Sequence, residues 1–175
     1  LHPISPYGAS KLAGEKYCKV YQRLYGMDIV ILRYFTVYGP RQRPDMAIHR
    51  FVDQISEGKR PVVYGDGKQT RDFTYVNDVV AGTIAAAQTE GCAGEAFNLG
   101  GGQRISVNDL LQRLIKLCGK EDVVGPSHEQ AKSGDVRDMH ADISKAGRVL
   151  RFEPKTDLEE GLRNFIEWYI VTRKK

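Results

Sequence analysis

The sequence predicts an α/β fold organised around a parallel sheet, and three observations carry that expectation. Helical and strand-like patterns alternate along the 175 residues instead of segregating into a helical part and a sheet part. The run Ile29-Val30-Ile31-Leu32 is apolar without alternation, as a strand covered by helices on both faces requires. No internal repeat breaks the succession.

Each element has a local reason. Pro6 opens the first helix, because its missing N–H falls where no intrahelical acceptor exists, and the pattern runs to about Tyr25. Gly26 ends it at the position where a left-handed residue commonly terminates helices. Asp28 to Tyr34 follows as a strand, Val79 to Gln88 as a helix and Ala96 to Leu99 as a short strand. Ser106, with Asp109 three residues on, forms a capping box ahead of Leu110, Leu111, Leu114 and Ile115, an amphipathic helix that stops near Gly119. Thr156 and Glu159 repeat the device before Leu158, Leu162, Phe165, Ile166 and Tyr169, whose helical spacing closes the chain on a packed helix. Residues 39–45 and 123–137 lack periodicity and are rich in Pro, Gly and charge, so they read as loops, where binding residues concentrate. Gly100-Gly101-Gly102 matches no phosphate-binding spacing and reads as a flexible loop before a helix.

Composition narrows the function classes. With 41% hydrophobic and 27% charged residues the chain is an ordinary globular sequence with enough apolar content for one core, and nothing in it reads as a membrane segment. The net charge of +4 is mild and the basic residues are scattered among acids, so nucleic acid is not expected as a partner and a small anionic ligand is. Cys18, Cys92 and Cys118 are odd in number and widely spaced, which points to a reducing, cytoplasmic setting and not to a disulfide framework. The four His residues show no metal-ligand spacing, and no metal is expected. There is no initiator Met and no signal-peptide pattern, so Leu1 is expected to be a cut inside a longer protein.

Chemistry enters with Tyr7 and Lys11. Four residues apart on a helix, they lie one above the other on the same face, so an ammonium and a phenol reach the same region. A nearby positive charge favours the phenolate form of a phenol, which turns a weak acid into a general base. By spacing alone the two read as surface residues at a helix start. No glycine-rich strand-turn-helix fingerprint for a dinucleotide pyrophosphate lies anywhere before them.

Several motifs in order decide between those readings. Ser5-Pro6-Tyr7-Gly8-Ala9-Ser10-Lys11, Leu32-Arg33-Tyr34-Phe35-Thr36-Val37-Tyr38-Gly39-Pro40, Tyr64-Gly65-Asp66-Gly67 and Arg71-Asp72-Phe73-Thr74-Tyr75-Val76 together resemble the extended short-chain dehydrogenase/reductase family, in its nucleotide-sugar epimerase branch. The resemblance covers nearly the whole chain and implies its C-terminal portion: the last elements of a Rossmann-type parallel sheet over approximately residues 1–40 and 76–100, and a smaller α/β substrate-binding lobe over approximately 41–75 and 101–175. The N-terminal NAD-binding half, and the Ser or Thr that holds the reacting hydroxyl, would precede Leu1.

The same resemblance implies roles. Tyr7 would be the catalytic base and Lys11 would tune it and hold the nicotinamide ribose, with Phe35 near the nicotinamide. The sugar 4-hydroxyl would lose its proton while C4 passes hydride to NAD, and hydride would return to the other face of the 4-keto sugar. Arg71 matches the arginine that contacts the diphosphate, although pairing with Asp72 or another acid is its structural alternative. Gly134-Asp135-Val136 with Ala141-Asp142 resembles the late nucleotide-binding stretch, with Asp135 on the substrate; Lys132 stands where the family often has Arg, which loses the fork geometry, and Arg137 is a nearby substitute. Thr36 before Val-Tyr-Gly-Pro, and Arg43 in Arg43-Pro44-Asp45-Met46-Ala47, resemble the UDP-glucuronate 4-epimerases, where Arg43 would face the sugar carboxylate.

The implied function is an NAD-dependent 4-epimerase of UDP-glucuronate or of UDP-glucose and UDP-galactose, inactive as an isolated fragment. The alternatives are a decarboxylase or 4,6-dehydratase of the same sugar nucleotides, a non-catalytic nucleotide-sugar-binding module, or a structural remnant that self-associates. A UDP-sugar is the expected ligand and a homodimer through the Tyr7–Lys11 helix the expected assembly.

Overall fold

The computed structural model describes residues 2–122, 125–132 and 134–173. The first helix, α1 (Pro6–Tyr25), forms as its caps dictate: the Ser5 hydroxyl accepts from the Gly8 N–H at 3.1 Å, Pro6 occupies the first turn, and Gly26, at φ 64°, donates its N–H to the Gln22 carbonyl. It is followed by β1 (Ile31–Tyr34), β2 (Thr36–Tyr38), α2 (Ala47–Ser56), β3 (Val62–Tyr64), β4 (Thr70–Arg71), β5 (Phe73–Tyr75) and α3 (Val76–Gln88). The second half adds β6 (Ala96–Leu99), β7 (Ile105–Ser106), α4 (Val107–Leu117), β8 (Ser127–Glu129), α5 (Ser144–Leu150) and α6 (Leu158–Arg173).

The strands pair mostly in parallel, as the sequence predicts. β1 runs parallel with β6, β2 with β5 and β3 with β8, while β4 and β7 form a short antiparallel pair. Parallel partners need a crossover between them, and α2, α3 and their flanking loops supply it.

Five local expectations are corrected. The strand expected from Asp28 begins at Ile31, and the helix expected from Val79 begins at Val76. The stretch 123–137 is not loop throughout: Ser127–Glu129 lies in register with Val62–Tyr64. That strand has no apolar alternation to announce it and is made by backbone pairing, with the Ser127 N–H on the Pro61 carbonyl and the Gly65 N–H on the Glu129 carbonyl. The last helix is capped by Asp157, whose carboxylate accepts from the Glu159 N–H at 2.8 Å, while the Thr156 N–H turns inward to Asp78.

The triglycine is the fifth case. Asp72 is fully buried, and its carboxylate accepts from the N–H groups of Gly101, Gly102 and Ala141 at 2.5, 3.1 and 3.1 Å. A Cβ on Gly101 would stand 2.5 Å from the Phe73 carbonyl oxygen. Close approach to β5, not flexibility, is why glycine is needed there.

Two apolar clusters hold the chain. One joins Ile48 and Phe51 of α2, Leu110 and Leu114 of α4 and Leu162 and Phe165 of α6 beneath β2, β3 and β5. The other sets Phe97 and Leu99 of β6 against Ala86 of α3, Ala146 and Leu150 of α5 and Phe152. α1 contributes no buried residue to either.

Candidate active site and anion cavity

Tyr7 and Lys11 stand on one face of α1, with the Lys11 Nζ 5.3 Å from the centre of the Tyr7 ring. Both line a cavity of about 570 Å³ with His2, Pro3, Arg33 and Tyr34. Tyr7 is 72% exposed there, open to a ligand.

Glu15, one turn beyond Lys11 on the same face, fixes the helix in place. Arg33 of β1 donates from Nε and Nη2 to the two Glu15 oxygens at 2.7 and 2.6 Å, a bidentate fork joining α1 to the sheet. Bonding to Arg33 holds the Glu15 carboxyl below its ordinary range, and Glu15 raises Arg33 in turn. Sequence reasoning passed over both residues; the i+4 step from Lys11 to Glu15 was the available signal.

A second cavity, of about 300 Å³, collects Thr36, Arg71, Lys132 and Asp135. Its assembly follows from the strands. Thr36 opens β2 with its N–H on the Asp72 carbonyl, which places it beside Arg71 at the end of β4. The chain after Asp135 is stitched along β4: the Thr70 N–H donates to the Arg137 carbonyl, the Met139 N–H to the Thr70 carbonyl, and the Thr70 hydroxyl to Asp138. Asp135 thereby reaches Arg71, and Nη2 donates to it at 2.5 Å while Nη1 donates to the Thr70 carbonyl at 2.7 Å.

Two further lining residues were not anticipated. The Tyr64 ring has the Lys132 Nζ at 4.2 Å and the Arg50 guanidinium carbon at 5.0 Å from its centre. Arg50 was hidden because it sits on α2 among core residues, where helical periodicity explains its neighbours and not its own direction. Among the described residues, Arg50, Arg71 and Lys132 give the cavity three cations, and Asp135 is the one acid on its wall.

The other expected residues lie apart. Arg43 is a 75% exposed loop side chain paired with Asp45 at 3.0 Å, and it lines a neighbouring cavity of about 310 Å³. The two cavities share Gln42 and Met46. Phe35 is half-buried between β1 and β2 and lines none of the three cavities. Arg137 does not line the anion cavity; it forms a fork with Asp66 at 2.8 and 3.0 Å, which holds the Asp66 carboxyl down to about 2. Gly134 rests against Ile4 and Ser5, so the loop bearing Lys132 and Asp135 abuts the start of α1.

Among the described residues no three His, Cys, Asp or Glu side chains cluster as metal ligands, and no helix is long and apolar enough to cross a membrane.

A parallel α/β scaffold that sets a Tyr-Lys helix against a cation-lined cavity defines a class of ligand-handling α/β protein, and comparison with known proteins narrows it. The chain belongs to the NAD dependent epimerase/dehydratase family, whose model matches residues 1–100. It is 45% identical to an uncharacterised UDP-glucose epimerase of Bacillus subtilis, over 96% of this chain and 52% of that protein. It is also 45% identical to a UDP-glucuronate 4-epimerase of Thermodesulfobacterium geofontis, over 95% of this chain and 50% of that one. Among solved structures, the UDP-glucuronic acid 4-epimerase of Bacillus cereus in complex with UDP-glucuronic acid and NAD superposes with a TM-score of 0.93 at 44% identity, over 98% of this chain and 54% of that one. The chain spans about half the length of the curated relatives it matches.

Proposed function

We propose that the protein carrying this chain is an NAD-dependent 4-epimerase of a UDP-sugar, either UDP-glucuronate or UDP-glucose and UDP-galactose. The observation that carries the reading is the convergence of Thr36, Arg71, Lys132 and Asp135 from separate stretches onto one cavity, beside the helix that presents Tyr7 and Lys11. Three cations and a threonine hydroxyl suit a nucleoside diphosphate joined to a sugar. UDP-glucuronate 4-epimerases among the relatives, together with Thr36 and Arg43, support the glucuronate substrate.

Within this chain the fit to NAD is to its nicotinamide ribose. Lys11 forms no ion pair among the described residues and shares an open cavity with Tyr7, so its ammonium is free to bind ribose hydroxyls. When bound, NAD supplies the hydride acceptor and donor for the sugar carbon. The Tyr7 oxygen takes the proton of the 4-hydroxyl and later returns one, and the Lys11 charge steadies the oxygen that holds the negative charge. Arg71 binds phosphate oxygens through its fork and Lys132 as a point charge. The Thr36 hydroxyl, whose contact is a weak one to the Met139 sulfur at 3.9 Å, exchanges that contact for a sugar oxygen. Phe35 would line the nicotinamide side.

The same reading divides the chain into a Rossmann-type part over approximately 1–40 and 76–100 and a substrate lobe over approximately 41–75 and 101–175, with α5 packed on β6 of the former. It makes the protein a cytoplasmic homodimer. Tyr17, Val20, Tyr21 and Leu24 lie exposed on one face of α1, an apolar stripe suited to a second copy.

The test uses the protein with this chain in its native reading frame, given UDP-glucuronate and UDP-glucose in turn, with products followed by NMR at the C4 proton. Interconversion of the C4 epimers is the expected result. A 4-keto-6-deoxy product or loss of carbon dioxide would replace epimerisation by dehydration or decarboxylation. Tight UDP binding without turnover would make it a binding module.

A further inference from the structure

We infer that Asp135 is a built-in competitor for the Arg71 guanidinium and so sets the threshold that an anion must pass to bind in the cavity; the inference rests on the reading of Arg71 as the diphosphate ligand. The Arg71 side chain is only 13% exposed, so its charge is largely withdrawn from water and needs a counter-charge. In this structure the counter-charge is Asp135, bonded at Nη2, while Nη1 is taken by the Thr70 carbonyl and, more distantly, by that of Arg137 at 3.4 Å. An incoming anion therefore meets an arginine that is already neutralised.

The two sides of the pair differ in what leaving involves. Asp135 is 47% exposed, so it rehydrates readily once displaced. A small anion that replaces it exchanges one ion pair for another and gains little. A diphosphate that replaces it also reaches Lys132, which faces the same cavity from the Tyr64 ring, and Arg50 beside it. An anion long enough to engage the additional cations outcompetes the resident carboxylate more readily. The aspartate thus raises the threshold that every anion must pass, and a diphosphate passes it at lower concentration because it engages more cations.

The experiment measures calorimetric binding of inorganic pyrophosphate and inorganic phosphate, neither of which has a ribose that Asp135 could contact. It compares the protein in its native reading frame with the variants Asp135→Asn, Arg71→Ala and the double variant; Asp135→Ser repeats the charge removal with a different side chain. Removing one partner of a partly exposed ion pair should tighten pyrophosphate binding by about three- to tenfold in Asp135→Asn. Phosphate should gain by a similar factor, because it must displace the same carboxylate. In the Arg71→Ala background the Asp135 substitution should give no gain, because a competitor acts only through the group it occupies. Unchanged or weaker pyrophosphate binding in Asp135→Asn and Asp135→Ser overturns the inference and leaves the reading of Arg71 standing. An equal gain with and without Arg71 overturns it too, by showing a charge effect across space. If Arg71→Ala binds pyrophosphate and UDP as well as the parent does, the diphosphate reading itself falls, and the inference with it.

Discussion

Tyr7 and Asp72 stand at opposite extremes, one exposed and the other buried. Tyr7 meets solvent and the Lys11 ammonium, so replacing its phenol with phenyl changes chemistry without disturbing packing. Tyr7→Phe should abolish epimerisation while UDP binds as before, measured by turnover and calorimetry together; retained turnover would remove Tyr7 as the base. Asp72 is the reverse case. Its carboxylate accepts three backbone N–H bonds from two distant stretches of chain, and an asparagine there would turn an amide N–H₂ toward at least one donor. Asp72→Asn should cost about 2–4 kcal/mol in urea unfolding, the range for a buried charged hydrogen-bond network left unsatisfied. A cost below about 0.5 kcal/mol, typical of surface changes, would show that the carboxylate does not pin the glycine loop.

At the scale of elements, α1 is tied to the sheet by chemistry on one face and left open on the other. Glu15 has its pKa lowered in the folded state, first by the hydrogen bond from Arg33. A depressed carboxyl contributes stability above its unfolded pKa and loses that contribution as pH falls through the folded one. The parent should therefore melt above Glu15→Gln at neutral pH, with the difference shrinking as pH drops below the ordinary value of 4.5. A difference that stays constant down to strongly acidic pH would mean that the fork is not what Glu15 contributes. On the open face, Leu24 is 66% exposed within the apolar stripe. The proposed dimer predicts that Leu24→Asp sediments as a monomer without unfolding the chain, since most of the side chain is exposed within one copy; a parent that is itself a monomer, or a dimer that survives the substitution, would remove this stripe as the interface.

For the whole molecule, the two apolar clusters set the mechanical frame. Phe165 is fully buried between α6 and its neighbours, and Phe97 is 1% exposed on β6. Truncation of either to alanine should cost about 3–5 kcal/mol, as large buried side chains do. Hydrogen exchange should show which amides lose protection first: those of α2, α4 and α6 for Phe165→Ala, and those of α3, α5 and β6 for Phe97→Ala. Uniform loss across both groups would show that the clusters unfold as one unit. The cavity around Arg71 depends on this frame, because the β4 stitches that deliver Asp135 to Arg71 start from a strand whose neighbours Phe73 and Tyr75 belong to the first cluster.

What the sequence alone determined is whatever is decided within a turn or two of chain. Ser5, Pro6 and Gly26 set both ends of α1, Ser106 set the start of α4, and the spacing of Leu110, Leu111 and Leu114 named a core face that is buried. The four-residue step from Tyr7 to Lys11 likewise guaranteed a shared face before any fold was known. The parallel α/β class was legible because apolar runs without alternation require cover on both sides. Tertiary structure decided the rest. It made a strand of Ser127–Glu129, gave Arg137 to Asp66 and Arg71 to Asp135, left Arg43 at the surface with Asp45, and locked a glycine loop onto Asp72. Each of those outcomes except the Arg43 pair joins residues far apart in the chain, where charge and polarity name many eligible partners. Only the packing of the elements determines which of them meet.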